Sequence, residues 1–219
     1  MEHYRIVQGV GLYYVTFTVV EWLPVFIDEP ACKIITDSFN FCIENRLSGN
    51  FRGRYPDLGV RACVRTLSPP NLVLFTAKSE EPENKHLGVN AYVIMPTHLH
   101  TIGFDIEFNS ERLKQTLDDM RKFTGRQLLD YSAKHLPKSF TEVFRNSAGK
   151  DRERRFWQPT QHQVGIVSDG FWKQKMDYLH HNPCRKGLVL NPEDWRFSSA
   201  RYWLKGEQND VQLSDVGWE

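Results

Sequence analysis

A chain of 219 residues with 40% hydrophobic and 13% aromatic content can bury one sizeable core, so its simplest organisation is a single domain spanning residues 1–219. The net charge of +1 conceals two unequal parts. Between Arg112 and Gly187 there are 16 Lys and Arg against 8 Asp and Glu, which leaves 12 against 19 elsewhere. Cys32, Cys42, Cys63 and Cys184 show no C-x-x-C spacing and no secretory leader precedes them, which predicts reduced thiols in a cytoplasmic protein and suggests no cysteine-built zinc site. The longest apolar stretch, Val10 to Val20, is too short to span a bilayer and is interrupted by Tyr and Thr in strand fashion, so no membrane is expected.

In chain order, Leu12 to Val20 reads as a core strand, and Asp28 to Leu47 as a helix with Ile34, Ile35, Phe39, Cys42 and Ile43 at near-helical spacing. Residues from about 48 to 86 are rich in Gly, Pro, Asn and charge; Val60–Thr66 and Asn71–Thr76 are the only strand candidates in that stretch. Strands at 88–95 and 98–104, joined by a Pro96-Thr97 turn, form a hairpin. Ser110 then caps a helix whose buried stripe is Leu113, Leu117 and Met120. A second helical stretch covers Arg126 to His135, and Ser168 or Asp169 opens a late helix. The order β, α, β, β, α with later helices fits an α+β, ferredoxin-like antiparallel sheet with packed helices. No internal repeat is evident.

Two short patterns speak of chemistry. On a strand, successive side chains alternate faces, so His98 and His100 point the same way while Leu99 points back to the core. On a helix, residues four apart share a face, so Tyr178 and Asn182 aim together; Trp172, Met176 and Leu179 form the neighbouring apolar arc, and Pro183 discourages helix at Asn182 itself. Taken alone, each pattern has a plainer reading. A lone H-x-H is more often a packed or surface pair, and an Asn before Pro is a common helix end. The basic run Lys150 to Arg155 is by itself more often a solvated loop, although Phe156-Trp157 beside it offers rings for stacking on bases.

The blocks resemble a known family when taken together. Ala91 to His100 resembles the His-hydrophobic-His signature of the single-tyrosine HUH transposases, and Lys175 to Val189 is similar to the nucleophile helix of their REP-associated branch. Tyr14-Val15-Thr16-Phe17-Thr18, Met120 to Thr124, Phe156-Trp157-Gln158 and Asp194 to Ala200 follow in family order. Thr97 departs from the Asn usual there, and residues 48–86 look like an insertion. The resemblance implies a metal-dependent endonuclease and strand transferase that cuts single-stranded or hairpin DNA through a covalent phosphotyrosine. Tyr178 would be the nucleophile, and His98, His100 and Asn182 would hold Mg2+ or Mn2+. Imidazole alone would favour zinc, but an amide and a phosphate oxygen shift the preference to the harder ions. Arg121, Lys122, Arg152, Arg154, Arg155, Lys175 and Arg185 are the candidate DNA-binding residues. His180 and His181, which leave the Tyr178 face, are expected at the surface. Two alternatives stand beside this reading: a catalytically silent, domesticated hairpin-DNA-binding protein, and a zinc hydrolase of small substrates. Self-association stays open.

Overall fold

The computed structural model describes residues 10–44, 86–150 and 152–216. Its elements are β1 (Leu12–Thr18), α1 (Glu29–Glu44), β2 (Leu87–Met95), β3 (His98–Asp105), α2 (Ser110–His135), α3 (Lys138–Asn146), β4 (His162–Ile166), α4 (Asp169–Arg185) and α5 (Ala200–Lys205). Four strands form one sheet in the order β2-β3-β1-β4, and every pairing is antiparallel. This is the expected α+β, ferredoxin-like arrangement. The strand candidates at Val60–Thr66 and Asn71–Thr76, and Cys63, lie outside the described residues. Cys32, Cys42 and Cys184 are free thiols. Among the described residues no helix is long and apolar enough to cross a membrane.

The sheet is covered on both faces, which is why its strands read as nearly continuous apolar runs. Tyr13, Val15 and Phe17 of β1 and Leu99 of β3 join Ile35 and Phe39 of α1 and Leu113, Leu117, Met120 and Leu128 of α2 in one core. The alternate residues Leu12, Tyr14, Ile102 and Phe104 pack with Met176 and Leu179 of α4 in a second. Strand alternation therefore separates a face that carries α1 and α2 from a face that carries α4. In β2 a bulge at Asn90 shifts the alternation between Val89 and Ala91. The bulged Asn90 Nδ2 donates to the Ser214 carbonyl at 2.9 Å, its Oδ1 accepts from Trp172 Nε1 at 2.8 Å, and its carbonyl accepts from Trp203 Nε1 at 3.0 Å. One extra residue thus ties α4, α5 and the C-terminal segment to the sheet.

Several expectations are corrected. The N-cap of α2 is Asn109, whose side chain accepts from the Arg112 N–H at 3.0 Å; Ser110 is already helical. The two helical stretches expected from Ser110 and from Arg126 are one helix of 26 residues. Gly125 does not break it, because the missing side chain admits the indole of Trp157: a Cβ there would lie 3.2 Å from Trp157 Cδ1. Phe156 and Trp157 are core residues, 2% and 5% exposed, so they are not available to stack on bases. Helix α4 is capped by Ser168, which accepts from the Phe171 N–H at 3.3 Å, and it continues through Pro183 to Arg185 rather than ending at Asn182. Proline removes one N–H donor, but the turn is closed by Lys186 N donating to the Asn182 carbonyl at 3.1 Å and Leu188 N to the Pro183 carbonyl at 3.0 Å. Helix α1 opens at Glu29 with Asp28 accepting from the Ala31 N–H at 3.2 Å. Strand β4 and helix α3 are additions that the sequence pattern does not announce.

A buried carboxylate holds the β3–α2 corner. Asp105 accepts from Arg112 Nε at 2.6 Å and Nη2 at 2.5 Å, and from the backbone N–H groups of Glu107 and Asn109 at 3.0 and 3.1 Å. Burial pushes its pKa up, but the Arg112 hydrogen bonds and the two N–H groups outweigh burial and hold it below the ordinary carboxylate value. Arg112→Ala leaves these acceptors short of their strongest donors and is expected to cost about 2–3 kcal/mol at neutral pH. A carboxyl whose folded pKa is depressed stabilises above its ordinary pKa and loses that contribution as pH falls through the folded value. Denaturant titrations should therefore show the gap between wild type and variant narrowing below about pH 4.

Candidate active site and nucleic-acid interface

The β1–β3 ladder sets Thr18 opposite His98 and Thr16 opposite His100. Both histidines are buried on the α4 face of the sheet, their ring centroids 4.6 Å apart. Each ring is oriented by a neighbouring hydroxyl at Nδ1: Thr97 Oγ1 lies 2.9 Å from His98 Nδ1, and Thr16 Oγ1 lies 2.8 Å from His100 Nδ1. Thr97, the departure from the usual Asn, therefore contributes an orienting hydroxyl. His100 Nε2 is buried with no hydrogen-bond partner among the described residues. A ring whose Nδ1 is engaged and whose Nε2 is free has the disposition of a metal-ligating imidazole.

Burial, then the neighbouring Lys186, pushes the His98 pKa down to about 4. Burial, His98 and Lys175 hold His100 well below the ordinary histidine value. Both rings are therefore neutral at pH 7, the form that carries a lone pair for a cation. Among the described residues no three His, Cys, Asp or Glu side chains cluster in a way that could hold a metal ion. The side-chain amide of Asn182 is of another kind, chemically able to ligate a cation. Asn182 is buried on α4, one turn beyond Tyr178.

Tyr178 stands over the pair. Its ring centroid is 5.8 Å from that of His100 and 6.3 Å from that of Tyr14, edge-on in both cases, and it is 43% exposed. Two cations of the same helix lie nearby. The Arg185 guanidinium lies 5.0 Å from the Tyr178 ring centroid while pairing with Asp177 at 3.1 Å. Lys175 Nζ lies 5.0 Å from the Tyr14 and Phe171 rings, with its pKa lowered by burial. His181 is exposed and pairs with Asp177 at 2.9 Å, as a surface residue should. His180 is not at the surface: it is buried, its Nε2 is 2.8 Å from Ser199 Oγ, and burial lowers its pKa to about 4.

The other candidate DNA-binding residues converge elsewhere. Arg121, Lys122, Arg152, Arg154 and Arg155 line a single open groove of about 670 Å³, joined there by Arg126. The groove runs along α2, whose apolar stripe belongs to the core opposite α4, so these cations lie across the sheet from Tyr178. Some are already engaged: Lys122 pairs with Asp119 at 3.1 Å, Arg154 with Asp130 at 3.4 Å, and Arg121 donates to the Gln158 carbonyl. Arg126 is an addition to the expected set, and its place four residues from Lys122 on the same helix is the signal that would find it. Thr16 is another, since its alternation with Tyr14 and Thr18 puts its hydroxyl behind the histidine ring.

No protein-family profile matches the chain, and no curated protein matches it. A solved structure described as a REP-associated tyrosine transposase bound to a REP hairpin superposes with a TM-score of 0.54 at 15% identity, covering 100% of this chain and 95% of that one. The chain has the fold of that transposase. The sequence blocks that resemble the family thus sit in a fold of the same kind, with His98, His100 and Tyr178 brought together.

Three buried neutral histidines carry a pH signature. A histidine whose folded pKa is lowered lets the unfolded state bind the proton first, so stability is complete above the ordinary value of 6.5 and falls as pH drops below it. In chelator, the unfolding free energy should be flat between pH 7 and 8. Below about pH 6.5 it should fall with a slope approaching ~1.4 kcal/mol per pH unit for each of the three. His180→Gln should reduce that slope; a flat profile down to pH 5 would contradict the burial assigned to these rings.

Proposed function

We propose that the chain is a metal-dependent single-strand DNA endonuclease and strand transferase that acts on hairpin DNA through a covalent bond to Tyr178. The observation that carries the reading is the phenol of Tyr178 set over His100, whose buried Nε2 has no partner among the described residues. The hairpin-bound neighbour supports hairpin DNA as the substrate class. The reading treats the chain as one catalytic domain with residues of about 48–86 inserted. His98, His100 and Asn182 would hold Mg2+ or Mn2+, and such an ion, when bound, polarises a phosphate and neutralises developing charge.

The chain's own residues do the rest. An unperturbed phenol has a pKa of about 10, so it attacks well only where its anion is stabilised. Arg185 over the ring provides positive potential at that point, and Lys175 lies over the neighbouring Tyr14 ring. The Tyr178 oxygen forms a bond to phosphorus, the bond to one nucleoside oxygen breaks, the partly exposed phenol yields its proton to solvent, and the departing oxygen takes a proton from solvent to leave as a free hydroxyl. The new phosphotyrosine conserves the energy of the broken linkage, so a free hydroxyl can reverse the step without ATP. A hydrolase that used water would lose that capacity.

Tyr178→Phe should abolish the denaturation-resistant protein–DNA adduct while leaving hairpin affinity within about twofold, because phosphate affinity resides in the cations. Replacing His98 and His100 together with Ala should also stop cleavage and spare binding. Adduct formation by Tyr178→Phe, or full activity in chelator, would overturn the assignment.

The groove of Arg121, Lys122, Arg126, Arg152, Arg154 and Arg155 serves as the phosphate track. Affinity should then fall steeply with salt, and neutralising Arg152, Arg154 and Arg155 together should lower the log–log slope by about 0.7 for each phosphate that the variant no longer neutralises. All sequences should weaken about equally, since phosphate contacts carry no base information. An unchanged slope would return these residues to the role of a solvated surface.

A further inference from the structure

Immediately after β1 the backbone does something costly. Glu21 and Trp22 both adopt left-handed conformations, at φ 50° and 53°. Neither is glycine, and two consecutive L residues held there store backbone strain. The turn is nevertheless firmly held. Val19 N donates to the Thr97 carbonyl at 3.0 Å, Val20 N to the Phe156 carbonyl at 2.9 Å, Trp22 N to the Val19 carbonyl at 3.1 Å and Phe26 N to the Pro96 carbonyl at 3.0 Å. Val19, Val20, Val25 and Phe26 are all buried at 3% exposure or less, yet Trp22 between them is 57% exposed. A strained, pinned turn that turns its largest apolar side chain outward is not explained by folding, since burial of that indole would have been the favourable outcome.

The indole has a definite neighbour. Its ring centroid lies 5.7 Å from that of His98 in an edge contact. Its chain neighbours Val20 and Glu21 line a hollow that adjoins the basic groove. This second hollow, of about 550 Å³, is lined by Val20, Glu21, Gln158 and Pro159, and Pro159 also lines the Arg groove. The two hollows thus meet at Pro159, and the second ends at Glu21, the residue before Trp22, whose ring contacts His98.

We propose that Trp22 is a stacking platform for one unpaired nucleobase next to the phosphodiester held at the His98–His100 pair, on a strand that continues around the sheet end toward the Arg groove. An exposed indole offers a rigid π-face, and every base has a matching one, so such a platform fixes the position of a nucleotide without selecting its identity. The strained turn sets the ring at the site before substrate arrives, so little ordering is left for binding. This positioning role rests on the single-strand nuclease reading, but it concerns binding and can be tested apart from cleavage.

The test uses the full chain carrying Tyr178→Phe, so that no cutting occurs, and a hairpin oligonucleotide with a single-stranded thymidine flank. An abasic residue is walked through the flank, and affinity is read by anisotropy. One abasic position should weaken binding about tenfold, within the range of base–aromatic stacking. Adding Trp22→Ala should weaken the intact flank by a similar factor and remove the sensitivity at that one position, the mark of two changes in a single interaction. Trp22→Phe should retain most of the coupling. Trp22→Gly relieves the positive φ and should match or exceed wild-type stability while losing the coupling; a less stable Trp22→Gly would make the indole a structural anchor and overturn the proposal. Additive effects of the Trp22 and abasic changes would overturn it as well. Coupling without any adduct in the Tyr178 protein would sink the nuclease reading and keep the platform, whereas an adduct with additive effects would do the reverse.

Discussion

The antiparallel register of β1 on β3 is the constraint on which the site depends. Because side chains alternate along a strand, the pairing that sets Thr16 opposite His100 also sends Tyr13, Val15, Phe17 and Leu99 to the other face, where they are 0–1% exposed. Each large apolar side chain in that core is worth about 1.5–3 kcal/mol of burial. A slip of one residue would turn several of them out and bring the two imidazoles into apolar surroundings. The geometry of the histidine pair is thus enforced by the hydrophobic face behind it. The threonine hydroxyls at 2.8 and 2.9 Å only refine ring orientation.

Helix α4 has to satisfy two demands at once. Met176 and Leu179 seal the second core, and the Trp172 indole is fastened to the bulged Asn90. With those residues turned inward, Tyr178 falls on the margin of the buried arc, half in water and half over His100. Continuing the helix through Pro183 matters for the same reason. Had it ended at Asn182, nothing would keep that amide in helical register with the phenol one turn earlier. Proline forfeits a single backbone donor, and the bonds closing the turn at Lys186 and Leu188 take over its end.

How much of this is legible in the sequence depends on whether a residue's role lies in a periodic pattern. The β2–β3 hairpin, the His98–His100 alternation and the Tyr178–Asn182 spacing are local regularities, and each is found where its period puts it. Strand β4 is invisible because His162–Ile166 is an edge strand of five residues carrying Gln, Gly and an exposed His, with no clean alternation. Phe156 and Trp157 mislead because they follow a charged run, and only the tertiary approach of Gly125 reveals a socket for the indole. The placing of the arginine groove across the sheet is equally hidden. Sequence shows that the cations cluster, but which face they occupy is decided by α2 packing against the core opposite α4.

Electrostatic roles are divided in a way the net charge of +1 does not suggest. The paired imidazoles are held neutral by burial and by the lysines around them, so they contribute lone pairs and almost no field. The positive charge comes instead from Arg185 over the Tyr178 ring, Lys175 over the Tyr14 ring and Lys186 beside His98, all on or just beyond the same helix. In a partly buried site a charge a few ångströms away acts at far lower effective dielectric than in water, about 20 rather than 80. Lys186 therefore opposes protonation of His98, and Lys175 that of His100. The same positive surroundings, added to burial, keep both imidazoles in the neutral form that carries a lone pair.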